Sequence, residues 1–145
     1  MSDDAKDLPA LRVDGLDLSY SDYKVLSNVS FEVKNGSCLV VMGGSGCGKS
    51  TLLKSMVGLH EPASGSVFVG AENLWAAPHQ ARKSILKRFG VLFQGGALWS
   101  SMNLLENVSL PLETYTDMSE SAVAGIAQYK LSLVGLSGYE DFYPS

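Results

Sequence analysis

The chain has 145 residues, 46% of them hydrophobic and 18% charged, with a formal net charge of −4. That size and apolar content suit one domain with a buried core, and the acidic balance argues against a nucleic-acid-binding protein. The acidic start, Met1-Ser2-Asp3-Asp4, lacks the apolar stretch of a secretory signal, and no apolar run approaches the roughly 20 residues that span a bilayer, so the chain is expected to be soluble.

Residues 1–9 are polar and read as a loose tail. From Leu11 the pattern alternates, with Leu11 and Val13 on one parity and Leu16, Leu18 and Tyr20 on the other. Gly15 sits at the switch, so a bulge there keeps both groups on one face. Ser21-Asp22-Tyr23-Lys24 reads as a turn. A second strand follows from Val25, clearest at Val29, Phe31 and Val33, and Asn35-Gly36 is a strong turn signal.

The apolar run Cys38-Leu39-Val40-Val41-Met42 reads as a fully buried parallel strand. It leads into Gly43-Gly44-Ser45-Gly46-Cys47-Gly48-Lys49-Ser50-Thr51, which contains the phosphate-loop pattern G-x-x-x-x-G-K-S. A helix is expected next, with Leu52, Leu53, Met56 and Val57 on one face, ending near Gly58. The chemistry follows from the residue types. Phosphate oxygens need many donors at close range, and the backbone can approach only where side chains are small. Amides from about Ser45 to Thr51, with the helix dipole behind them, point to a triphosphate. Lys49 is expected to bridge the β- and γ-phosphates, Ser50 to ligate Mg²⁺, and Thr51 to reach the α-phosphate. Cys38 and Cys47 lack metal-ligand spacing and read as a reduced pair, with Cys47 at a variable position of the loop.

Residues 60–65 read as a loop and Ser66 to Gly70 as a short strand. Pro78 suits the first position of a helix to about Arg88, whose Arg82, Lys83, Lys87 and Arg88 read as a solvated face rather than a nucleic-acid patch. Phe89 to Phe93 reads as a strand with Gln94 at its end, broken by Gly95-Gly96-Ala97. Leu104 to about Thr114 has helical spacing, with Pro111 awkward in its second half. Another helix is expected from Ser119, with Ala122, Ile126, Tyr129, Leu133 and Leu136 marking its apolar face and Gly135 and Gly138 its end.

Four features together resemble the ATP-binding-cassette (ABC) transporter ATPases, over about Leu11 to Ser145. They are the phosphate loop, the aromatic Tyr20 lying 29 residues before Lys49, the segment Gly58-Leu59-His60-Glu61-Pro62-Ala63-Ser64-Gly65-Ser66-Val67, and Gly90-Val91-Leu92-Phe93-Gln94. The resemblance implies an α/β fold: a P-loop NTPase (RecA-like) core, an N-terminal antiparallel β subdomain, and the start of a helical subdomain at about residues 98–138. It implies ATP and Mg²⁺ as ligands. Tyr20 would stack on adenine, with Tyr23 as the alternative and sheet packing as the plain reading of either ring. Gln94, the Q-loop glutamine, would meet Mg²⁺ or the attacking water. Its implied partners are a transmembrane permease subunit and a second ATPase subunit, at the cytoplasmic face of the inner membrane.

Residues 92–103, with Glu106-Asn107-Val108-Ser109-Leu110-Pro111-Leu112, look most like the ATPases of Mla/Mce-type lipid transport systems. Amino-acid importers and lipoprotein-release systems share parts of the pattern. By the same resemblance, Leu98 to Glu106 would receive a coupling helix of the permease, although Leu98, Trp99 and Met102 also suit plain core packing. The family's signature segment, its acidic strand end with the water-polarising Glu, and its switch His have no counterpart here. Leu136-Ser137-Gly138 is followed by Tyr139 and reads as a helix-ending turn. The expectation is therefore a truncated, catalytically incomplete cassette that binds ATP, with a non-hydrolysing nucleotide-binding module as the alternative.

Overall fold

The structure is a computed structural model and describes residues 8–144. The expected tail at residues 1–9 and the end of the chain therefore lie largely or partly outside the described residues. The chain divides into two units, the first ending at Val91 and the second beginning at Leu92.

In the first unit, β1 (Leu11–Tyr20) pairs antiparallel with β2 (Tyr23–Val33) on one side and β3 (Ser64–Val69) on the other. The two-residue β4 (Glu72–Asn73) pairs with β3 and gives the order β2-β1-β3-β4. The alternation in β1 works as its sequence implies. The register shifts between Val13 and Leu16, Gly15 adopts φ +54°, and Val13, Leu16 and Leu18 all reach 0% exposure. The extra residue turns the second parity group back onto the core face.

That bulge is fastened by side chains. Asn28 N–H donates to one carboxylate oxygen of Asp17 at 2.8 Å, and the Ser64 hydroxyl donates to the other at 3.0 Å. Lys24 lies 3.4 Å from the same carboxylate. One acid thus joins three strands. The Asn28 amide, then the Ser64 hydroxyl, hold the Asp17 carboxyl below its usual range. At the same crossing Gly65 has φ +88°, and a Cβ there would fall 2.4 Å from the Gly15 carbonyl oxygen. Glycine is required for the two backbones to pass.

Helix α1 (Lys49–Met56) lays Leu52 and Met56 against this sheet, in one core with Val13, Leu16, Leu18, Val67, Val69, Leu74 and Ile85. Ile85 comes from α2 (His79–Leu86), for which Pro78 is the cap residue rather than the first helical one. Leu53 is 42% exposed, so the buried face of α1 is Thr51, Leu52, Ser55 and Met56, one step from the expected stripe.

Residues 38–42 depart most from expectation. They form no strand, and Val40 is 69% and Met42 86% exposed. Phe89 to Phe93 likewise form no strand, and Leu92 is 88% exposed. A strand exists only through its ladder, and among the described residues none pairs with either run. The described sheet is wholly antiparallel.

The second unit holds α3 (Leu104–Tyr115) and α4 (Glu120–Leu133). Asn103 and Glu106 form a reciprocal capping box at the start of α3, and the helix continues through Pro111. Ser119 caps α4 by accepting from the Ala122 amide. At its end Leu136 N–H donates to Leu131 O and Gly135 N–H to Ser132 O, with Gly135 at φ +76°, a Schellman closure. The buried face of α4 is Val123, Ala127 and Leu131, while the expected Tyr129 and Leu133 are each 60% exposed. Among the described residues no helix is long and apolar enough to cross a membrane.

Candidate functional site: a glycine loop opening onto an aromatic cleft

The loop from Gly43 enters α1 through Gly48, which takes φ +97° and serves as the cap residue without any side-chain oxygen to offer. The first-turn amides of α1 therefore receive no side-chain cap, which leaves them as donors for an anion. A Cβ at Gly48 would press within 2.9 Å of both Val25 and Leu26 side chains, so β2 backs the loop closely.

Lys49 folds back over the loop. Its ammonium donates to the Gly43 carbonyl at 2.8 Å and the Gly44 carbonyl at 2.7 Å, and lies 3.6 Å from the Cys47 sulfur. A positive charge is thus held at the mouth of a ring of small residues. Two carbonyl dipoles hold it there, and an anionic oxygen is a stronger acceptor than either.

The loop opens onto a cleft of about 280 Å³ lined by Tyr20, Tyr23, Val25, Gly46, Gly48, Lys49, Ser50 and Thr51. The cleft joins an aromatic wall from the β1–β2 hairpin to a polar floor at the start of α1. Tyr20 is 47% and Tyr23 74% exposed. Of the sequence-expected residues, the fold brings Tyr20, Gly46, Gly48, Lys49, Ser50 and Thr51 to this one surface. Gly43 and Gly44 meet the Lys49 ammonium through their carbonyls, while Ser45 and Cys47 are exposed on the same loop. Ser50, at the first turn of α1, presents a hard hydroxyl oxygen of the kind Mg²⁺ takes beside its waters.

Gln94 belongs to the second unit, where it opens the turn at residues 94–97. Leu98 and Trp99 beyond it are 53% and 61% exposed, so neither is a core residue. Asn107 shapes this loop. Its amide nitrogen donates to the carbonyls of Trp99, Met102 and Asn103, and its oxygen accepts from the Trp99 N–H at 2.8 Å.

Sequence reasoning missed His60. Its ring lies 4.5 Å from that of Tyr20, tilted by 41°, and its Nε2 is 3.0 Å from the Ser19 carbonyl oxygen. No local signal marks this contact, which joins residues 40 positions apart on different strands' flanks.

The family model described as ABC transporter matches residues 26–141, and the chain belongs to that family. The "Probable ribonucleotide transport ATP-binding protein mkl" of Mycobacterium leprae is 38% identical over 135 residues, covering 93% of this chain and 39% of that protein. The intermembrane phospholipid transport system ATP-binding protein MlaF of Escherichia coli K12 is 34% identical over 135 residues, covering 92% of this chain and 50% of that protein. The chain thus spans half or less of the length of these two curated relatives. A solved structure of the ATP-binding cassette MJ0796, dimeric and bound to ADP and Pi, superposes with a TM-score of 0.82 at 26% identity, over 92% of this chain and 61% of that one. The expected α/β cassette fold is borne out by this likeness.

Proposed function

We propose that the chain is the nucleotide-binding part of a transporter ATPase, which takes ATP at the Gly43–Thr51 loop and couples it to movement of a lipid-like substrate through a membrane partner. The observation that carries the reading is the shared cleft: an aromatic wall, a lysine held over a glycine loop, and a helix start line one surface. Tyr20 would stack on adenine, and amides from Ser45 to Thr51 would hold the phosphates. Lys49 would leave the Gly43 and Gly44 carbonyls for the β- and γ-phosphates, a stronger charge-assisted pairing. Ser50 would hold Mg²⁺, which when bound offsets phosphate charge. Gln94 would contact Mg²⁺ or the attacking water, ahead of a helical segment at about residues 98–138.

The dimeric state of MJ0796 supports a second ATPase subunit as partner. The exposed Leu98 and Trp99, in the loop braced by Asn107, support contact with a permease at the cytoplasmic membrane face. MlaF relatives, named for phospholipid transport, favour a lipid cargo. The mkl relatives, named for ribonucleotide transport, favour a second reading with a polar cargo.

The test is calorimetric binding of MgATP to the full chain and to Lys49→Ala. Binding to the wild type that weakens about tenfold or more in the variant, with unchanged melting, is expected from loss of charge-assisted hydrogen bonds. Equal binding by both proteins would overturn the reading.

A further inference from the structure

We propose that His60 is a positioning residue for the nucleobase: it fixes the plane of Tyr20 and so sets how much the base adds to nucleotide affinity. The inference rests on the ATP reading of the cleft and names a residue outside its lining.

Tyr20 is the last residue of β1, beside Ser21 at φ +48°, and nearly half of it is exposed. An aromatic side chain at such a strand end has rotamer freedom that stacking on a ligand must remove. Here the freedom is already reduced. The His60 ring meets the phenol at 4.5 Å between centroids, a distance at which aromatic pairs attract.

His60 is itself held. Its Nε2 lies 3.0 Å from the Ser19 carbonyl oxygen, and since a carbonyl only accepts, Nε2 carries the hydrogen. One side chain therefore grips the backbone of Ser19 and the ring of its neighbour Tyr20. The loop that carries His60 is fastened to the same strand, because Ala63 N–H donates to the Asp17 carbonyl at 2.9 Å and Ser64 pairs with Asp17 in the sheet. Tyr23, the cross-strand partner of Tyr20, is 74% exposed and, among the described residues, stacks on no such ring. Tyr20 is thus the pre-oriented ring of the two. His60 does not line the cleft, so its effect on a ligand passes through Tyr20.

A base stacked on a fixed ring gains affinity that a phosphate chain does not share. The experiment measures binding of MgATP and of magnesium tripolyphosphate, which has no base, to the full chain, His60→Ala and His60→Phe. The expected result is a three- to tenfold weaker MgATP affinity in His60→Ala, about the worth of one aromatic pair, with tripolyphosphate affinity unchanged. His60→Phe keeps a ring against Tyr20 and should recover part of the loss. Tripolyphosphate binding also reports that each variant remains folded. Should His60→Ala lose both ligands, His60→Gln carries the same expectation, since it keeps a donor for Ser19 but no ring. Unchanged MgATP affinity, or equal losses for the two ligands in every variant, would overturn the proposal. A wild-type chain that binds neither ligand would instead overturn the ATP reading beneath it.

Discussion

Residues 11–20 and 38–42 are both rich in aliphatic side chains, and the fold treats them oppositely. In β1, Val13, Leu16 and Leu18 are wholly buried, with ladders on both edges. In residues 38–42, Leu39, Val40, Val41 and Met42 stay 42–86% exposed with no ladder among the described residues. The lesson is that apolar composition states a demand for burial, while pairing decides whether it is met. β1 has all its partners within 58 residues, through a two-residue hairpin and a strand that returns beside it.

The comparison is tested most strongly at Leu16. Leu16→Ala should cost about 2–5 kcal/mol in a denaturant titration, the range for emptying a packed leucine site. A cost under about 1 kcal/mol would mean that the core closes around the loss and that β1 is less tightly packed than its burial implies.

A smaller effect is expected in acid, at the carboxylate that joins β1 to its neighbours. The Asp17 carboxyl titrates below its ordinary value of 3.8 in the folded chain, chiefly through the Asn28 amide and then the Ser64 hydroxyl. The unfolded chain therefore binds more protons across that window, and stability rises with pH through it. The contribution is fully present above 3.8 and is lost as pH falls through the depressed folded value. Asp17→Asn should flatten that part of a stability-versus-pH curve measured by thermal melting. A curve of unchanged slope would remove Asp17 as the link between the three strands.

The smallest effect belongs to the unpaired run. Val40→Ser changes a side chain that is 69% exposed and should move stability by less than about 0.5 kcal/mol while delaying aggregation on heating. A loss comparable to that of Leu16→Ala would show residues 38–42 to be packed in solution.

Much of the site was legible because its chemistry is local. Small residues, a lysine and a hydroxyl stand consecutively in the phosphate-loop pattern, so Gly43 to Thr51 are recognised from sequence order alone. Gly15 was legible as a bulge because it separates two parities, and Ser119 and Gly135 mark the ends of α4 by short-range hydrogen bonds. The buried face of α4 was not legible. Apolar residues occur nearly all around that helix, and packing within the second unit chose Val123, Ala127 and Leu131. The two-residue β4 was too short to leave a pattern.

By itself the sequence determined the glycine loop, the kinked parity of β1, the ends of α4 and the family these imply, since each depends on residues a few positions apart. Tertiary structure alone decided three other things. It selected which apolar runs become strands, because a ladder needs a partner that no run contains. It made Asp17 a three-strand junction, because its donors arrive from Asn28 and Ser64. And it set His60 against Tyr20, because only the return of the chain beside β1 brings those two rings within 4.5 Å.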